Sequence, residues 1–288
     1  MTDPAMKRQE NPVLKREDKG QDVIAAQELL NRSGAILDPD GDFGMGTETA
    51  VREFQLMQGI PKTGIIDAAT WQSLLQLPEP SPDIPTAAVA FIGREEVGSR
   101  SLYDKMGSRP TWPGGASGVT IGIGYDLGYQ SGFEADWSDV LSASQMLDLK
   151  KWLGVQGERA SAGPAGLTHI TIPWNAAWTV FIRRTLPQQI GSTRQTFQQS
   201  LQMPKLCFGV LVSLVYNRGT SMNDSASHPG NRQEMRDIRD AVAAGRLADI
   251  PAALRAMKRL WPEGNGLRGR REREAKMFEA GLAQGEPT

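Results

Sequence analysis

Four prolines fall within the eight residues Pro78-Glu79-Pro80-Ser81-Pro82-Asp83-Ile84-Pro85. A proline ring removes a backbone donor and fixes φ, so this run fits neither a helix interior nor a central strand. It divides the chain into a small segment, 12–77, and a large one, 87–282, joined by a short semi-rigid spacer over 78–86. With 288 residues, 39% of them hydrophobic and 23% charged, the chain suits about two globular domains.

The net charge of −1 hides an asymmetry: residues 1–86 carry −6 and residues 87–288 carry +5. The basic excess gathers from Arg255 through Arg268, Arg270, Arg271 and Arg273 to Lys276. Such a stretch either attracts an anionic polymer or is a solvated helix face with Glu272 and Glu274 interspersed. No nucleic-acid motif accompanies it, so no nucleic-acid partner is expected. The start, MTDPAMKRQENPVLKRED, lacks the apolar centre of a signal peptide, and no run of eighteen apolar residues exists. The expectation is synthesis in the cytoplasm without stable membrane insertion. The lone Cys207 excludes an intramolecular disulfide, and its apolar neighbours point to a buried thiol. His169 and His228 have no acid or cysteine at ligand spacing, so neither metal nor cofactor is expected.

In the small segment, Val23, Ala26, Gln27 and Leu30 share one helical face, and Ala50, Val51 and Phe54 share another. Asp22 and Thr47 are read as their N-caps, and a third helix begins near Asp67 with Trp71, Leu74 and Leu75. Asp/Gly-rich turns lie between them. The run Asp38–Asp42 has the alternating oxygens of a calcium loop, but Thr49 stands where the twelfth-position Glu belongs.

The large segment opens on a helix ending near Glu95-Glu96, where Gly98-Ser99 breaks it. A turn-rich loop leads to Thr120-Ile121-Gly122-Ile123-Gly124-Tyr125-Asp126, a β-branched run broken by glycine at alternate positions, which admits a close neighbour. Apolar spacing of three and four then predicts helices over 142–153, 173–185, 205–217, 231–244 and 247–261. The stretch Cys207–Tyr216 is nearly all apolar and fits a helix buried on all sides. The fold class is mostly α (α+β), with a small hairpin. Acids before and after the Gly-spaced run offer the two carboxylates of glycosidase chemistry.

Two resemblances sharpen this. Gly20-Gln21-Asp22-Val23, Gln27, Leu30, Asp40-Gly41-Asp42-Phe43-Gly44, Thr47, Ala50-Val51, Phe54-Gln55, Gly64 and Thr70-Trp71-Gln72-Ser73-Leu74 resemble the three-helix peptidoglycan-binding module of cell-wall hydrolases. That likeness implies anchoring to the wall, with Asp42, Phe43 and Thr47 as candidate substrate contacts. In the large segment, Glu95-Glu96, Tyr103, Thr120-Ile121-Gly122-Ile123-Gly124, Val212-Ser213-Leu214-Val215-Tyr216-Asn217-Arg218-Gly219, and Gly266-Leu267 with Arg270-Arg271-Glu272-Arg273-Glu274 resemble phage-type lysozymes.

The lysozyme likeness implies hydrolysis of the β-1,4 bond between N-acetylmuramic acid and N-acetylglucosamine. It implies Glu96 as general acid with Glu95 as alternative, Asp126 or else Asp104 as second carboxylate, Thr120 as holder of a water, and Tyr125 and Asn217 near substrate. The whole would be a monomeric endolysin of a phage or prophage, acting on the wall in the periplasm after release. The alternatives are an injected antibacterial effector, a lytic transglycosylase, and a non-catalytic wall-binding adaptor.

Overall fold

The computed structural model describes residues 11–285, and the reading of the chain start falls mostly on residues outside them. The described chain divides into two compact units between Pro80 and Ser81. Helix accounts for 59% of the structure and, among the described residues, one two-stranded sheet holds the strands, so the class is mostly α. Among the described residues no helix is long and apolar enough to cross a membrane.

The first unit holds α1 (Gln21–Arg32), α2 (Met45–Met57) and α3 (Ala68–Leu75) around a core of Val23, Leu30, Phe43, Val51, Phe54 and Trp71. The Trp71 indole N–H is satisfied by the Pro12 carbonyl at 2.7 Å. Asp67 caps α3, accepting from the Thr70 amide at 2.9 Å. The other two expected caps are displaced. α1 starts from Gly20 and α2 from Gly44, without side-chain caps, which puts Asp22 and Thr47 inside the first turns.

What Thr47 does instead is accept a hydrogen bond from the buried Gln27 amide at 3.1 Å. Gln27 also donates to Asp40 and to the Asp42 carbonyl, and its Oε1 accepts from the Gly41 amide at 3.0 Å. The same latch recurs one helix later: Gln55 donates to Thr63, the Ile65 carbonyl and Thr70, and accepts from the Gly64 amide at 2.9 Å. Gly41 and Gly64 hold φ of 75° and 76°, a backbone that side chains other than glycine rarely adopt. Each buried glutamine thus answers the polar groups of the loop that follows it. Gln27→Leu leaves those groups unpaired and is expected to destabilise the small unit by about 2–4 kcal/mol, read as accelerated hydrogen exchange at the Gly41 amide.

The second unit contains α4 (Thr86–Val97), β1 (Thr120–Ile121), β2 (Tyr125–Asp126), α5 (Phe133–Trp137), α6 (Ala143–Lys150), α7 (Trp174–Val180), α8 (Leu186–Thr196), α9 (Lys205–Arg218), α10 (Gln233–Ala243), α11 (Ile250–Ala256) and α12 (Gly266–Gln284). Its centre is α9, buried without interruption from Cys207 to Val215, as the apolar run leads one to expect. α4, α8 and α12 pack against it. The approaches are close because the facing residues are small. A Cβ on Gly209 would lie 2.4 Å from Ala88 of α4, and one on Gly281 of α12 would lie 2.7 Å from the Cys207 sulfur.

Residues 81–85, which fall in the semi-rigid spacer read over 78–86, pack with this unit. Ile84 is buried, Asp83 pairs with Arg194 at 2.6 Å, and the Pro82 carbonyl accepts from Lys205. The helix expected over 173–185 continues to Thr196 through a π-helical turn at Phe181–Thr185. Pro187 supplies the reason: it has no amide for the Arg183 carbonyl, and a widened turn accommodates the lost bond. β1 and β2 pair antiparallel, Thr120 with Asp126 and Ile121 with Tyr125, around the Gly122-Ile123-Gly124 turn.

Candidate active site

α4 ends because Gly98, at φ 77°, returns its amide to the Arg94 carbonyl. The last turn therefore presents Glu95 and Glu96 side by side, and α12 answers each with an arginine. Glu95 takes a two-pronged contact from Arg273, at 2.6 and 2.9 Å. Glu96 accepts from Arg270 at 2.8 Å, with its side chain only 21% exposed.

Arg270 reaches further inward. It donates to the Ser213 carbonyl and hydroxyl at 3.0 and 3.1 Å and to Glu274 at 3.2 Å. Glu274 and Arg271 are wholly buried, and Arg271 Nη2 donates to Glu274 Oε1 at 2.9 Å. The Ser213 hydroxyl donates to the same oxygen at 2.7 Å, and Arg271 also donates to Asn217 Oδ1 at 3.3 Å. Glu96, Glu274, Arg270 and Arg271, with Ser213 and Asn217, thus form one linked, largely buried network between α4, α9 and α12, and the Glu95–Arg273 pair lies beside it. Buried charges persist only when paired in this way.

Burial raises the Glu96 carboxyl above its ordinary value, and the Glu95 charge adds to this, while Arg270 pulls it down through charge and hydrogen bond. The outcome is a carboxyl that holds its proton to higher pH than an exposed glutamate. Burial likewise raises Glu274 and draws Arg271 down to about 10.

Tyr216, on the last turn of α9, connects this network to the hairpin. Its hydroxyl donates to the Ile123 carbonyl at 2.8 Å, and burial together with the Glu96 charge raises the phenol well above its usual range. The turn glycines admit these neighbours. A Cβ on Gly124 would stand 2.7 Å from the Tyr216 oxygen, and one on Gly122 would stand 3.0 Å from Trp137. The close approach expected of this run is thus made by aromatic side chains of the protein itself.

Thr120 and Asp126 lie opposite each other in the hairpin. Thr120 also exchanges both backbone hydrogen bonds with Thr111, at 2.7 and 2.9 Å, and its hydroxyl has only a long 3.5 Å approach to the Gly118 carbonyl. Asp126 is held by backbone amides, accepting from Gly118 at 3.0 and 3.1 Å and from Gly128 at 2.8 Å. Asp104 lies on an exposed turn, 54% accessible and 3.8 Å from Arg100.

Several expected substrate contacts face inward. Phe43, Thr47 and Tyr125 are buried, and the Tyr125 hydroxyl donates to Asp136 at 2.7 Å, so none of the three offers a surface to a polymer. Asp42 stays accessible, paired with Lys19 at 2.9 Å. Asn217 is tied to Arg271. Asp40 is occupied by Gln27 and the Asp42 amide, and among the described residues no group of acids, histidines and cysteine could hold a metal. Arg270, Arg271 and Glu274 are the residues that a reading by charge left as either a polymer-attracting stretch or a solvated helix face, and the structure buries them. Their spacing of three and four on one helix is the signal that could have paired them.

Residues 19–74 match the family model of a peptidoglycan binding domain. The spore cortex-lytic enzyme of Bacillus cereus is 40% identical over 67 residues, which are 23% of this chain and 26% of that protein. An uncharacterized protein in the bpoA1 3'region of Kitasatospora aureofaciens is 40% identical over 65 residues, 22% of this chain and 55% of that one. The chain thus spans about a quarter and about half of these relatives.

Proposed function

We propose that the chain is a cell-wall muramidase, its small unit holding peptidoglycan and its large unit cleaving the glycan. Glu96 carries the reading: a partly buried carboxyl with a raised affinity for its proton, at a helix end, suits a general acid that protonates a leaving glycosidic oxygen. The family match of residues 19–74 supports peptidoglycan as the partner. Tethering would raise the local concentration of glycan around the acid. Asp126, steadied by its amide donors, would orient a water or face the oxocarbenium-like transition state, with Thr120 assisting.

One observation favours a second reading. The amides of Gly118 and Gly128 make Asp126 a loop cap, and a loop cap that takes no part in chemistry would leave Glu96 as the lone carboxylate of a lytic transglycosylase. Mass spectrometry of fragments released from isolated peptidoglycan separates the two. Reducing N-acetylmuramic ends establish hydrolysis, anhydro ends establish the transglycosylase, and retained binding without release means a wall-binding adaptor.

The acid role sets a sign for pH dependence. A general acid works while protonated, so kcat/KM falls as pH rises through its pKa, above the ordinary glutamate value. Arg270→Gln removes the main influence lowering that pKa. The alkaline limb of the profile is therefore expected to move to higher pH, and a limb that stays put or moves down would deny Glu96 the role. For the biological setting we propose lysis by a phage or prophage endolysin acting in the periplasm. A neighbouring immunity gene would instead favour the injected effector.

A further inference from the structure

Past the α9 C-terminus, residues 219–232 form a largely exposed loop folded back by a bridge between Ser225 and His228. Two arginines brace its ends against each other. Arg218 Nη2 donates to the Asn231 carbonyl at 2.6 Å, and Arg232 donates to the Arg218 carbonyl. Arg218 also lies 5.4 Å above the Trp261 ring.

Neither guanidinium forms an ion pair with a carboxylate among the described residues. The nearby acids are committed elsewhere. Glu234 is held by Arg259 at 2.5 Å, while Asp224 pairs with Arg236 at 3.2 Å and accepts the Arg232 backbone amide. Arg218 Nε is buried and has no hydrogen-bond partner. Burial and the Arg232 charge both push the Arg218 guanidinium below its usual value, and burial does the same to Arg232. Two half-buried cations side by side, with one unmade donor and carboxylates only at longer range in Glu234 and Asp224, are costly, and an anion joining them would relieve that cost. Arg218 directly follows Asn217, which is bonded to Arg271 of the Glu96 network, so the pair stands beside the candidate active site.

We propose that Arg218 and Arg232 form a subsite for a carboxylate on the peptide stem of peptidoglycan, so that glycan bearing stems is preferred over bare glycan. This rests on the reading of the large unit as a wall glycosidase. A paired guanidinium fork suits a carboxylate, and the stem carries its carboxylates out beyond the muramic ring, whereas stripped glycan keeps only the lactyl carboxylate set on the ring itself.

The test compares kcat/KM on intact peptidoglycan with that on glycan stripped of its stems by an amidase. Wild-type protein is expected to favour the intact polymer. Arg232→Gln should cut kcat/KM on intact wall by about tenfold more than on stripped glycan, mainly through KM. Arg218→Gln should act in the same direction, and Arg232→Lys, which keeps the charge, should restore part of the preference. Equal losses on both polymers would mean that Arg232 only braces the loop, and that would overturn the subsite. So would a wild-type protein that digests both polymers alike, with the glycosidase reading intact. A wild-type protein that cleaves neither polymer removes that reading and the subsite with it.

Discussion

Glu96→Gln lowers wall-lytic turnover by about 10²–10⁴-fold, the range that a positioned general acid contributes, while the protein keeps its fold. The amide retains an oxygen for Arg270 Nη1, and Arg270 keeps Glu274 and Ser213, so the network loses a charge without losing its geometry. Glu95→Gln is the control. Its carboxylate is 9% exposed and its partner Arg273 55% exposed, so the variant costs some stability while leaving the Arg270 contact of Glu96 in place. Turbidity clearance of isolated walls and a melting curve on each variant decide the matter. Wild-type clearance by the Glu96 variant moves the acid to Glu95 or ends the glycosidase proposal.

The largest loss of stability is expected from Glu274→Gln. The side chain is fully buried, and Oε1 collects Arg270, Arg271 and Ser213, while Oε2 sits 2.9 Å from Arg271 Nε. An amide of the same shape must turn its NH₂ toward one of these donors. With the charge gone, Arg271 loses its carboxylate while its own side chain stays fully buried. Breaking one side of a buried pair costs about 3–5 kcal/mol, which lowers the melting temperature of a domain of this size by about 6–20 °C. Thermal and urea unfolding measure it. An unchanged midpoint would mean that Glu274 is carried protonated in the folded protein, so that glutamine merely replaces a neutral acid.

That network also marks the limit of what could be read from residues alone. The buried helix Lys205–Arg218 was legible because nine consecutive buried positions need apolar side chains, and the chain supplies them apart from Gly209 and Ser213. The hairpin was legible from glycines that only a close neighbour requires, and the start of α3 near Asp67 from the apolar face that follows it. Arg270, Arg271 and Glu274 were not, because charged residues are read as solvated unless a partner is seen. Two of their partners, Glu96 and Ser213, lie 174 and 57 positions away along the chain. Asp22 and Thr47 misled for a related reason. A polar residue before a helix signals a cap, but the glycines ahead of them already provide the turn, and Thr47 is drawn inward by Gln27. The run 78–86 reads as a semi-rigid spacer from its prolines, and the burial of Ile84 and the pairing of Asp83 with Arg194 are not visible in that pattern.

The paired glutamine latches of the small unit make its three helices two overlapping copies of one pattern. In each, a glutamine closes on a left-handed glycine and on a threonine six positions beyond it, Gly41 with Thr47 and Gly64 with Thr70. α2 belongs to both copies, ending the first with Thr47 and beginning the second with Gln55. Neither copy is whole without that shared helix, so the unit should melt in a single cooperative step. The same logic lets such a scaffold lengthen only by whole periods, each new helix bringing one loop, one glycine and one threonine.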